Sequence, residues 1–132
     1  MTLQSEPRLR SPILLIEDEP SVIAFLRAAL ERRGYAVEDA ASGAEGLEKL
    51  DAGNYFGVIS DIRMPGSVNG VEVHAWIQQN RPELCTRIIL ISGDTANSDT
   101  QNFLSQSGAP CIEKPFRVQQ LLTIVEKTFG KP

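Results

Sequence analysis

Three short runs of apolar residues, Ile13-Leu14-Leu15-Ile16, Phe56-Gly57-Val58-Ile59 and Ile88-Ile89-Leu90-Ile91, leave this chain few folds to choose from. A strand with one solvated face alternates apolar and polar residues. An unbroken apolar run of strand length suits a parallel sheet covered on both faces. These runs place strands at residues 13–17, 56–61 and 87–92. Residues 36–39 alternate, as an edge strand does, and residues 110–113 read as a short last strand.

Helical patterns fill the intervals. The first follows Glu19-Pro20-Ser21, with proline in the first turn, and ends at Arg32-Arg33-Gly34. Its apolar stripe is Val22, Leu26, Ala29 and Leu30, one face of a 3.6-residue period. The second begins at Ser42, with Glu45 as its capping-box partner, and is expected to bury Ala44, Leu47 and Leu50. A third spans residues 70–80 and stops before Pro82; a fourth, weakly amphipathic, covers 96–107. The last carries Val118, Leu121, Leu122, Val125 and Phe129 and stops at Gly130. Strand–helix units in unbroken succession imply an α/β, doubly wound, five-stranded parallel sheet with right-handed crossovers. The domain is expected over residues 12–130. Residues 1–11 lack the apolar segment of a signal peptide and are expected to form a short, loosely ordered lead-in.

Composition excludes some functions. Thirteen basic against seventeen acidic side chains give a formal charge of -4, without the clustered basic face that a phosphate-backbone binder needs. No nucleic-acid or membrane contact is therefore expected, and no apolar run approaches bilayer length. Arg27, Arg32 and Arg33 read as a solvated helix face. Cys85 and Cys111 fit no metal spacing and read as reduced thiols of a cytoplasmic protein.

Ligands of such sheets bind beyond the carboxyl ends of the strands. Those positions hold Glu17 and Asp18, then Asp61, then Ser92, then Lys114-Pro115. Each alone is unremarkable at the end of a strand. Together they bring three carboxylates, a hydroxyl and an ammonium to one edge. Crowded carboxylates repel, and a hard cation such as Mg²⁺ or Mn²⁺ is the natural resolution in an all-oxygen site. One carboxylate can then attack phosphorus, provided positive charge screens its approach to an anionic donor. Arg63 and Asp94 flank this pocket, where a pair across its mouth is expected. His74, without a ligand partner at helical spacing, reads as a packing or surface residue, and Trp76 as partial packing.

With LLIEDEP at 14–20, SDIRMPG at 60–66, NG at 69–70, ILISGD at 89–94 and EKPF at 113–116, the chain resembles the receiver domain family of response regulators across residues 12–129. The resemblance implies a flavodoxin-like (βα)5 fold with strand order 2-1-3-4-5. It implies Asp61 as phosphoacceptor, Asp18 as direct metal ligand, Glu17 as the second acid and the Arg63 backbone carbonyl as a further ligand. Ser92 matches the hydroxyl switch residue, Lys114 the family's lysine, and Pro115 its cis-proline. It also implies a histidine kinase or phosphotransfer protein as partner, and homodimerisation through the fourth-helix, fifth-strand and fifth-helix face. The expected role is that of a switch rather than an enzyme.

Three departures stand out. Cys111 occupies the position of the family's aromatic switch residue, where filling space is a simpler role than redox chemistry. Glu17 replaces the commoner aspartate. The loop 66–70 is one residue longer than usual, as in receivers attached to hybrid histidine kinases. Two rivals remain at this stage: a docking module that keeps the fold without phosphorylation, and an aspartate-nucleophile phosphatase. The phosphatase would need a general acid where Arg63 stands. A flavodoxin-like cofactor binder is disfavoured by Glu17-Asp18-Glu19, which would repel phosphate.

Overall fold

The computed structural model of the chain describes residues 11–64, 66, 68–94 and 96–132. The proposed lead-in lies outside them apart from Ser11, as do Pro65, Ser67 and Thr95. Strands β1 (Ile13–Ile16), β2 (Val37–Ala40), β3 (Gly57–Asp61), β4 (Ile88–Ser92) and β5 (Cys111–Glu113) alternate with helices. These are α1 (Pro20–Arg33), α2 (Gly43–Ala52), α3 (Gly70–Asn80), α4 (Ser98–Ser107) and α5 (Val118–Phe129). A 3-10 turn, Pro82–Leu84, leads from α3 into β4. All strand pairs are parallel, in the order β2-β1-β3-β4-β5, so the alternating second strand is indeed an edge.

The apolar runs split by pleat. Ile13, Leu15, Ile59, Ile89 and Ile91 face α1 and α5, joining Leu26, Leu30, Leu121, Val125 and Phe129 in one core. Leu14, Ile16, Val58, Ile88 and Leu90 face the other side, joining Leu50, Val73, Ile77 and Leu84. Burial of every residue of β1, β3 and β4 explains why period-two alternation vanishes there.

Two helix faces differ from expectation. Ala44 is exposed and Leu47 only partly buried, because Gly46 and Leu50 carry the face of α2 that meets the sheet, while Gly43 is buried against the backbone of Val68. A Cβ on Gly46 would lie 2.5 Å from Ile16 Cδ1, so the missing side chains allow a close approach that rotates Ala44 outward. Val118 is exposed at the first turn of α5, where the helix overhangs the edge of the core. Ser42 is the N-cap of α2 as expected, and only the return half of the box falls one residue earlier. Ser42 Oγ accepts from the Glu45 N–H, whereas Glu45 Oε1 accepts from the N–H of Ala41. A full capping box forms instead on α3, between Asn69 and Glu72.

Candidate phosphoacceptor and metal site

The register explains why residues far apart in sequence meet. Ile16 pairs with Ser60, so Glu17 and Asp61 follow as neighbours at the same edge of the sheet. Asp61 pairs with Ile91, and Ser92 with Glu113, which brings β4 and β5 to that edge. Oxygen atoms of Glu17, Asp18 and Asp61 lie within 4.8 Å of one another. Lys114 Nζ donates to Asp61 Oδ2 at 2.9 Å and stands 3.4 Å from Glu17 Oε1. The Lys114–Pro115 peptide is cis.

Asp61 and Glu17 are both buried, and one oxygen of Glu17 is incompletely satisfied. Its Oε2 accepts from the Glu19 N–H at 3.0 Å, whereas Oε1 has no hydrogen-bond partner among the described residues. Burial, with the nearby Asp61 charge, pushes the Glu17 carboxyl up to about 7, against the opposing effects of the Glu19 N–H and Lys114. Burial disfavours the charged form of Lys114, but its hydrogen bond to Asp61 and the surrounding carboxylates outweigh this and raise its pKa. One ammonium thus serves a cluster with more negative charge than it can neutralise. A buried carboxylate oxygen that makes no hydrogen bond and shares one ammonium with two further carboxylates fits a hard, oxygen-seeking cation.

Ser92 is buried, and its Oγ accepts from the Asp94 N–H at 3.0 Å, leaving the hydroxyl proton available for donation. Arg63 and Asp94 do pair across the mouth, at 3.8 Å, with both side chains largely in solvent. His74 is buried edge-on against Phe103, and Trp76 is half-buried against the same core, as packing residues should be. Cys111 is half-buried, and its thiol is pushed up by burial and by the charges of Glu113 and Asp61. It is a poor thiolate, which suits filling space better than redox chemistry.

Two contributors were not singled out by sequence. Glu19 Oε1 lies 3.5 Å from Lys114 Nζ, making it a fourth carboxylate of the cluster. Its place in the acidic run Glu17-Asp18-Glu19 is the signal in the sequence, which assigns it to phosphate repulsion and the helix entry but not to Lys114. Gly70 is the second. A Cβ there would stand 2.4 Å from the Asp61 carbonyl oxygen and 2.7 Å from Ile62 Cα, so α3 abuts the end of β3 at a point where only glycine fits.

Comparison with known proteins agrees with this geometry. The family model described as the response regulator receiver domain matches residues 13–126. The transcriptional regulatory protein TcrA of Mycobacterium tuberculosis is 31% identical over 109 residues, covering 83% of this chain and 42% of that protein. The sensor kinase CckA of Brucella abortus is 32% identical over 121 residues, covering 90% of this chain but only 12% of the kinase. The chain therefore spans less than half the length of these relatives. Among solved structures, a CheY-like receiver domain from Methanospirillum hungatei superposes with a TM-score of 0.81 at 28% identity, covering 90% of this chain and 93% of that one. The response regulator TrrA of Thermotoga maritima, solved in complex with Mg²⁺ and BeF, gives 0.76 at 34% identity, covering 89% and 98%.

Proposed function

Because the chain belongs to the response regulator receiver domain family, we propose that it is a phosphoacceptor switch in which Asp61 takes a phosphoryl group from a partner's phosphohistidine. The observation that carries this reading is the buried Asp61 carboxylate, hydrogen-bonded by Lys114 beside a buried Glu17 oxygen that makes no hydrogen bond among the described residues. Glu17, Asp18, Asp61 and the backbone carbonyl of Arg63 would hold Mg²⁺ or Mn²⁺. Such an ion, when bound, supplies positive charge opposite the phosphoryl oxygens.

An Asp61 carboxylate oxygen attacks phosphorus. The new O–P bond forms as the P–N bond to the partner's imidazole breaks, and its electron pair stays on that nitrogen. Lys114 then exchanges its carboxylate partner for a phosphoryl oxygen, as a flexible point charge can. Ser92 donates its free hydroxyl proton to the same group. The new charge biases a pre-existing equilibrium in the α4, β5 and α5 face, which is the output and homodimer surface on this reading. Cys111 cannot contribute a ring to that change, so readout runs through other contacts of the face. The partner is a histidine kinase or phosphotransfer protein in the cytoplasm, and neither nucleic acid nor membrane is engaged directly. The similarity to CckA and the long loop after Asp61 support a place in a hybrid-kinase phosphorelay. TcrA is a transcriptional regulatory protein and CckA a sensor kinase, so the reading rests on the acceptor step rather than on either output.

Incubation with acetyl phosphate and Mg²⁺, followed by intact mass, tests the reading. A gain of one phosphoryl group is expected, lost in Asp61→Asn. An unmodified chain would point instead to a docking module, and sustained turnover of a phosphomonoester to a phosphatase.

A further inference from the structure

Lys114 is held by more than the acceptor. Its Nζ is 2.9 Å from Asp61 Oδ2, 3.4 Å from Glu17 Oε1 and 3.5 Å from Glu19 Oε1. Of these carboxylates, Glu17 and Asp61 belong to the group positioned to share a cation, whereas Glu19 does not. Glu19 is also the exposed one, with 59% of its side chain in solvent against 1% and 7% for Glu17 and Asp61. Its backbone is nevertheless anchored, since its N–H donates to Glu17 Oε2. The carboxylate is therefore tethered to the cluster at one end and free to follow the ammonium at the other. It also borders an apolar groove of about 510 Å³ with Gly93, Lys114, Pro115 and Phe116.

A cation shared by Glu17, Asp18 and Asp61 would repel the Lys114 ammonium and compete for the two buried carboxylates that now hold it. Glu19 would then be the remaining carboxylate in reach. We propose that Glu19 is a positioning residue for Lys114: it keeps the ammonium at the mouth of the site while the cation occupies the buried carboxylates, so that Lys114 meets the phosphoryl group as it arrives. This rests on the phosphoacceptor reading above. The expected effect is modest, because an exposed ion pair contributes about 1 kcal/mol or less, equivalent to roughly fivefold in rate.

Two measurements test it. The first does not depend on phosphoryl transfer: solvent exchange of the Lys114 ammonium followed by ¹⁵N NMR, with and without Mg²⁺. Exchange should be several-fold faster in Glu19→Gln than in the unaltered chain when Mg²⁺ is present, with little difference in its absence. Identical exchange with Mg²⁺ overturns the proposal even if Asp61 is phosphorylated normally. The second is the rate of Asp61 phosphorylation by acetyl phosphate at saturating Mg²⁺. Glu19→Gln should slow it two- to fivefold (about the scale of one exposed pair), and Glu19→Asp should restore part of the loss. In a Lys114→Met background, Glu19→Gln should change nothing further. An equal effect in both backgrounds would mean a general field effect and would sink the proposal. A chain that shows the exchange difference but accepts no phosphoryl group would keep Glu19's role at Lys114 and remove the phosphoacceptor reading instead.

Discussion

His74, the one histidine of the chain, sits buried on α3 with its ring edge-on to Phe103 of α4, 5.5 Å between centroids. Burial holds its pKa below the ordinary value. The unfolded chain therefore binds a proton that the folded chain resists as pH falls below about 6.5. The stabilisation from burying neutral imidazole is complete above that pH, and is lost progressively on acidification toward the depressed folded pKa. Urea unfolding of the unaltered chain should thus lose more stability between neutral and mildly acidic pH than His74→Gln does. Parallel losses in the two proteins would show that His74 does not titrate on unfolding. The same burial argument separates Cys111 from a reactive thiol, which no spacing rule could have done.

At the scale of elements, α3 is docked against the end of β3 through a glycine. The Gly70 N–H donates to the Ile62 carbonyl at 2.9 Å, and its missing side chain leaves room for the Asp61 carbonyl. The atoms a methyl group would strike are backbone, which cannot rotate away. Gly70→Ala should therefore cost about 1–3 kcal/mol by overpacking, read from the urea midpoint. It should also slow Asp61 phosphorylation in the fraction that remains folded, because relief of the clash moves either α3 or the acceptor strand. Wild-type stability and rate in that variant would contradict the close approach. Gly46, against Ile16, plays the corresponding part for α2. The glycines were legible in the sequence, but not their neighbours, and Ala44 was assigned to the core for that reason.

For the molecule as a whole, the amino-terminal edge of the sheet is tied together opposite the acidic cluster. Arg87, just before β4, donates to the carbonyls of Phe56 and Phe129 at 2.6 and 2.7 Å. Its guanidinium also lies 4.6 Å from the centroid of the Phe56 ring. Tyr35 donates to the Gly130 carbonyl at 2.7 Å, and Arg33 pairs with Glu126, so the end of α5 is fastened to both β4 and α1. Arg87→Ala should cost about 2–3 kcal/mol, from two charge-assisted hydrogen bonds and the cation–π contacts with Phe56 and Phe129. It should leave the final extent of Asp61 phosphorylation at low temperature unchanged, since the site lies at the other edge. Loss of phosphorylation without loss of stability would contradict this division of labour.

Pattern alone determined the order of strands and helices, the doubly wound parallel class and the edge at which a ligand would sit. Apolar runs and 3.6-residue stripes report which residues leave water, and that signal is local in sequence. It also assembled Glu17, Asp18, Asp61, Ser92 and Lys114, since parallel strands end at a common edge whatever their detailed packing. Tertiary structure decided what depends on distance between segments far apart in the chain. It oriented α2 through its glycines, seated Gly70 against Asp61, left Glu17 Oε1 without a hydrogen-bond partner and brought Glu19 to Lys114 from the start of α1. Those contacts depend on side-chain volume and on how closely elements approach, which a linear pattern does not encode.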